Sequence, residues 1–233
     1  MSELVLTSVV SGYGKKTVVF DATMTVPAGH ITVLLGHNGA GKSTILKTIQ
    51  GLVPVDSGSI TFDGEDITRS TPRSNVRRGI AFMPSELFVY DDLSVDDNLI
   101  AASLAVPKSQ RSYSISDIHE LLSMLKDRGA QLAGTLSGGQ KRMLSTGMLL
   151  MANPRLMLLD EPSLGLAPAV VDQLFDFYRS LASDSGLGIL LVEQNVGEAL
   201  RIGDGVYALR SGRIFLHESA ENLRKRTEFW DLF

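Results

Sequence analysis

Hydrophobic positions along the chain fall into short apolar runs that alternate with stretches of helical spacing. Leu4 to Val10 and Val18 to Val26 read as strands, and Ile31 to Leu35 is a third that runs directly into glycines. A helical pattern follows from Lys42 to Gln50 and stops at Gly51, a residue suited to closing a helix. Ser59 to Phe62 predicts a strand ending in the Asp63-Gly64 turn, and Ile80 to Met83 another closed by Pro84. From about Asp96 to Ala133 the character becomes helical. Asp96-Asp97-Asn98 opens one helix, and Asp117 to Leu125 carries apolar residues at 118, 121, 122 and 125. The serine-rich stretch 107–116 between them reads as an exposed loop.

After Gly139 the alternation resumes. A helix runs to Met151, followed by a strand at 156–159, a helix at 169–181, a strand at 189–192, a helix at 196–202 and a hairpin of 206–209 with 214–216. Short apolar runs separated by helices predict a mainly parallel, buried sheet. The expected fold class is therefore α/β: one domain over 1–233, an antiparallel β part at the N-terminus, and a helical subdomain of about 94–150 inserted in the core.

The glycines after the third strand carry the first chemistry. Gly36-His37-Asn38-Gly39-Ala40-Gly41-Lys42-Ser43, followed by Thr44, fits G-x-x-x-x-G-K-[ST] between a strand and a helix. Backbone N–H groups of such a loop wrap phosphate oxygens, and the helix N-terminus adds its partial positive charge. Lys42 supplies a point charge for the β and γ phosphates, and the Ser43 hydroxyl can ligate Mg²⁺. The motif predicts a P-loop nucleotide-binding core and says nothing of which phosphoryl-transfer family it serves.

A second acidic site lies at Asp160-Glu161, where the apolar run 156–159 ends. Asp160 can join a Mg²⁺ shell and Glu161, one residue further on, can face an attacking water; alternatively Asp160 is a helix N-cap ahead of Pro162-Ser163. Paired with the phosphate loop, the catalytic reading prevails. Leu136-Ser137-Gly138-Gly139-Gln140 opens the helix carrying Lys141 and Arg142. A serine and two glycines at a helix start expose N–H donors, a second anion-binding end. One compact chain does not easily bring two such ends to one nucleotide, so Ser137 to Gln140 are expected to serve the nucleotide of a partner subunit.

Composition bounds the rest. The chain has 233 residues, no cysteine and a formal charge of −4. Absent cysteines exclude a disulfide scaffold, a Cys-ligated zinc site and a thiol nucleophile. The mildly acidic balance argues against nucleic acid as a partner. Runs such as 189–192 fall far short of the roughly 20 apolar residues a membrane helix requires, and the N-terminal residues lack the pattern of a signal peptide. The four histidines make no metal-ligand spacing. Three of the four acids Asp91, Asp92, Asp96 and Asp97 are expected to be solvated or capping, and the methionines of 143–151 to be core. The aromatic C-terminus, Glu228 to Phe233, either packs on the domain or touches a partner.

In order and spacing, the G-H-N-G-A-G-K-S-T loop, the L-S-G-G-Q segment and the L-M-L-L-D-E strand resemble the ATP-binding subunits of ABC transporters over nearly the whole chain. The resemblance implies ATP and Mg²⁺ as ligands, a head-to-tail dimer with a second ATP-binding subunit, and permease subunits contacted by the helical subdomain at the cytoplasmic face of the membrane. It also makes Tyr13, within Ser11-Gly12-Tyr13-Gly14, similar to the family's adenine-stacking aromatic, although a turn tyrosine is equally consistent with the residues. Glu161 to Pro168 and Leu191 to Asn195 are similar to the branched-chain amino-acid importer ATPases, their second ATP-binding subunit in particular, and related urea and short-amide importers share these stretches. Two positions depart from the superfamily pattern. Gln194 stands where most members have a γ-phosphate-contacting histidine, and the importer branch shares this glutamine; an amide donates a hydrogen bond but carries no proton or charge. Ser85 follows Pro84 where Gln or Glu usually helps set Mg²⁺ and water geometry, with Glu86 one residue out of register. The expected function is ATP hydrolysis driving import, with Glu161, Gln194 and Lys42 catalytic and Ser43, Asp160 and Ser85 at the metal. The alternative is a soluble ABC ATPase of DNA repair or translation, disfavoured by the lack of a coiled-coil insertion and of basic charge.

Overall fold

The computed structural model describes residues 3–86 and 88–226, so the aromatic segment 228–233 lies outside the described residues. Two sheets divide the strands. The long β1 (Glu3–Tyr13) pairs antiparallel with β2 (Lys16–Pro27) and with β4 (Val55–Phe62), and β5 (Glu65–Asp66) completes the order β2-β1-β4-β5. Alternation gives this sheet one apolar face, where Leu4, Leu6, Met24, Val26, Ile60 and Phe62 are buried.

The second sheet has the order β10-β9-β3-β8-β7-β6. Its members are β3 (Ile31–Leu35), β6 (Ile80–Met83), β7 (Leu156–Asp160), β8 (Gly188–Val192), β9 (Gly205–Arg210) and β10 (Arg213–Ser219). All pairings are parallel except that of β10 with β9. Every residue of β3, β7 and β8 is buried, because both faces are covered. Leu34, Leu158, Leu190 and Val192 face a core shared with the antiparallel sheet and with Ile45, Leu46 and Ile49 of α1 (Lys42–Gln50). Their neighbours Val33, Leu35, Leu159 and Leu191 face the opposite core. That core contains Leu174, Phe175 and Tyr178 of α7 (Pro168–Ser185) and Leu144 and Leu150 of α6 (Gly138–Met151).

Expected and observed elements agree closely in the parallel core and less well outside it. Helix α1 begins and ends where the spacing puts it, with Gly51 left-handed at its C-cap (φ 84°). Two short helices carry too few turns to show periodicity: α2 (Pro72–Arg77), capped by Thr71, and α9 (Ala220–Arg224), capped by Ser219. The helix expected over 117–125 is two pieces, α4 (Ile115–Leu121) and α5 (Ser123–Lys126), broken at Leu122 (φ −118°, ψ 68°). Leu122 is buried against the core, so packing outweighs helical continuity there.

Three of the acids at 91–97 are solvated or capping, as expected: Asp91 and Asp92 are exposed, Asp91 beside Lys141 (2.7 Å), and Asp97 is bound by the Ser94 cap of α3 (Val95–Ser103). Asp96 is the fourth, half-buried with Oδ1 2.9 Å from His119 Nε2. Met143, Met148 and Met151 are core.

Gly147 on α6 lets α3 and α4 approach. A Cβ there would stand 3.0 Å from Ile118 Cγ2, 3.1 Å from Leu99 Cδ2 and 3.3 Å from Leu122 Cδ1. Gly147→Val should therefore destabilise the chain by about 1–3 kcal/mol in denaturant titration, from overpacking. An unchanged midpoint would show that this contact is loose.

Candidate nucleotide site

Three neighbouring parallel strands end in line and deliver the site. Leu34 of β3 pairs with Val192 of β8, which pairs with Asp160 of β7, so the segments that follow these strands emerge along one edge of the sheet. Open α/β sheets bind ligands at the carboxyl ends of their strands.

The loop after β3 is built around glycine. Gly36 has φ 154°, and a Cβ on it would collide with the Leu209 carbonyl oxygen of β9. The loop is pinned from outside by Gly212 N–H donating to Ala40 O (2.8 Å) and from within by Ala40 N–H donating to His37 O (3.1 Å). Gly41 (φ 109°) is the N-cap of α1, so the first helical amides open toward the loop. Lys42 is buried and folds back: Nζ donates to Gly36 O (2.7 Å) and His37 O (3.1 Å). Burial lowers its pKa, and the charges of Glu161, Asp160 and Glu193 oppose that shift. Thr44, also buried, gives its carbonyl to Thr48 Oγ1 (2.7 Å).

Asp160 is the last residue of β7, not a helix cap. Its Oδ1 accepts from Ser43 Oγ at 3.1 Å, which joins the phosphate loop to the acidic site across 117 residues. Burial raises its pKa, against the Ser43 hydrogen bond. Two adjacent oxygen donors, one a carboxylate with spare lone pairs, suit a hard cation such as Mg²⁺ that keeps further positions for phosphate and water. Among the described residues, the hydrogen bond made at Ser85 is through its carbonyl, which accepts from Arg142 Nη2 at 2.9 Å. Sequence position alone could not reveal that the loop after β6 turns toward α6.

Glu161 follows with a left-handed backbone (φ 50°), its N–H donating to Val192 O at 2.9 Å. Gln194 is exposed, and together with Glu193, Val196, Gly36, His37 and Asn38 it lines a cavity of about 200 Å³ beside the phosphate loop. Tyr13 is 51% exposed at the β1–β2 hairpin. Ser137 caps α6 in a reciprocal capping box: Oγ accepts from Gln140 N (3.3 Å), and Gln140 Oε1 accepts from Ser137 N (2.9 Å). Gly138 lies exposed beside it, and Gly139 approaches Val170 of α7.

Sequence reasoning missed Glu193 and the buried Arg142. Glu193 follows a fully apolar run just as Asp160 does, and that signal could have found it. Burial raises the pKa of Glu193, against hydrogen bonds from Ser163, Gln194 and Asn195.

A P-loop helix start facing a strand-end aspartate defines a nucleoside-triphosphate-binding protein. The ABC transporter family profile matches residues 19–164, and the chain belongs to that family as an ABC ATPase. It is 38% identical to the high-affinity branched-chain amino acid transport ATP-binding protein BraG of Pseudomonas aeruginosa, over 95% of this chain and 94% of that one. It is 36% identical to a probable branched-chain amino acid transport ATP-binding protein, LivF, of Archaeoglobus fulgidus (94% and 93%). It is 35% identical to the lipopolysaccharide export system ATP-binding protein LptB of Escherichia coli (93% and 90%). Among solved structures, the ADP conformation of MJ1267, an ATP-binding cassette of an ABC transporter, matches with a TM-score of 0.86 at 25% identity, covering 100% of this chain and 98% of that one.

Removing the Lys42 ammonium with Lys42→Ala should weaken ATP binding about tenfold or more, the scale of a charge-assisted hydrogen bond. Equilibrium titration with a fluorescent ATP analogue reads this directly, and unchanged affinity would remove Lys42 from the site.

Proposed function

We propose that this chain is the ATP-hydrolysing motor subunit of an ABC importer for branched-chain amino acids or similar small solutes. The observation that carries the reading is the alignment of Lys42, Asp160, Glu161 and Gln194 along adjacent strand ends; the likeness to BraG and LivF supports the solute class. The chain then acts as one nucleotide-binding domain with the helices of about 94–150 as its inserted subdomain.

ATP enters with its phosphates against the amides of Gly36 to Thr44 and its adenine over Tyr13. Lys42 exchanges its two loop carbonyls for phosphate oxygens, so its charge is already in place when the nucleotide arrives. Ser43 and Asp160 are the protein oxygens that would hold Mg²⁺, with Ser85 reaching it through a water; the ion when bound neutralises charge on the β and γ phosphates. Glu161 accepts a proton from water as the water oxygen bonds to the γ-phosphorus; the bond to the β,γ-bridging oxygen breaks, releasing ADP and phosphate. The Gln194 amide donates to a γ-phosphate oxygen. Ser137, Gly138, Gly139 and Gln140 present α6 amides to the nucleotide of a second ATP-binding subunit, head to tail. The exposed Phe88 and Tyr90 rings, edge to face at 5.8 Å beside a groove lined by Met148 and Leu149, offer an apolar seat for a permease at the cytoplasmic face of the membrane. Closure around ATP favours one permease state, and hydrolysis resets it. The likeness to LptB favours a second reading, in which the same motor powers export; the permease that co-purifies from membranes decides between them.

Glu161→Gln should keep ATP affinity and lower turnover about 10²–10⁴-fold, as loss of a positioned base does, while prolonging the ATP-bound dimer. Wild-type turnover in that variant would contradict the assignment.

A further inference from the structure

Glu193 has no part in the steps above, yet it lines the cavity beside the phosphate loop together with Gly36, His37, Asn38 and Gln194. It directly follows β8, is 2% exposed, and among the described residues no cationic group lies in ion-pair contact with it. Its two oxygens divide their labour. Oε1 accepts from Ser163 N–H at 2.9 Å, and Oε2 accepts from Gln194 N–H at 3.1 Å. Ser163 belongs to the loop that starts at Glu161, and Gln194 begins the turn into α8 (Val196–Ile202), so one carboxylate spans both loops. A second tie runs beside it, from Glu161 N–H to Val192 O at 2.9 Å.

Burying a carboxylate is costly unless its hydrogen-bonding capacity is used. Here the geometry requires two acceptors side by side, which an amide cannot supply. A glutamine at 193 would set its NH₂ against one of the two backbone donors and release that loop. A loop brace alone could be made by backbone groups. What distinguishes this one is that its two ends are the segments bearing the water-facing and γ-phosphate-facing side chains.

We propose that Glu193 is a positioning residue for hydrolysis: by holding Ser163 N–H and Gln194 N–H at once, it sets the spacing between Glu161 and Gln194 across the attacking water. The inference rests on the hydrolytic reading given above.

The test compares the full chain with Glu193→Gln, Gln194→Ala and the double variant, measuring ATP affinity and Mg-ATP turnover for each. Displacement of reacting groups by about 1 Å costs up to about a hundredfold in rate. E193Q is therefore expected to lower kcat about tenfold or more with ATP affinity kept within about threefold, the split expected for a transition-state effect. Because Glu193 acts in part through Gln194, the losses of kcat from E193Q and Gln194→Ala should combine to less than their product. Unchanged kcat in E193Q, a fall in affinity equal to the fall in kcat, or full additivity in the double variant would each overturn the proposal. Glu161→Gln measured in parallel separates the two claims. Turnover surviving there overturns the hydrolytic reading, whereas turnover lost there but untouched by E193Q overturns only the role of Glu193.

Discussion

Parallel pairing of β3, β8 and β7 is the constraint on which the rest of the structure depends. These strands are five residues each and buried on both faces, so their side chains are committed to two cores and none is free for chemistry until the strand ends. The pairing brings Leu34, Val192 and Asp160 into one row. The phosphate loop, Asp160-Glu161 and Glu193-Gln194 then leave the sheet side by side, although they lie far apart in the chain. A slip of one residue in any of these pairings would turn Asp160 toward the opposite face and break its contact with Ser43.

That arrangement concentrates charge where water is scarce. Lys42 is buried near three carboxylates but makes its hydrogen bonds to loop carbonyls, while burial raises the pKa of Asp160 and of Glu193. Each of these groups keeps partners that a phosphate or a cation can replace or join. The site is thus organised before ligand arrives, which spares reorganisation at the moment of reaction. On the helical side, Arg142 plays a similar part, holding the Pro84 and Ser85 carbonyls to α6 from a fully buried position.

Much of this was legible in the residues because the signals were local. The helix at 42–50 has a loop motif at one end and a left-handed glycine at the other, and residues 80–83, 156–159 and 189–192 are uninterrupted apolar runs. Asp160 announced itself by ending such a run beside a second acid. What stayed hidden depends on partners distant in the chain. Glu193 acquires its role from Ser163, 30 residues away, and the carbonyl of Ser85 is held by Arg142, 57 residues away. The break at Leu122 likewise reflects tertiary burial against a favourable helical spacing, and Asp96 is set beside His119 of another helix.

Lys42 and Ser137 stand at the starts of different helices, and on the proposed reading they serve different nucleotides, so that one chain supplies a whole phosphate pocket but only half of a working site. ATP affinity and turnover of a Ser137→Arg variant, measured on the same preparation, test it most directly. The account predicts ATP binding like that of the unaltered chain together with loss of hydrolysis in the assembled dimer. Loss of ATP binding by the isolated variant would place Ser137 at the chain's own nucleotide and contradict it.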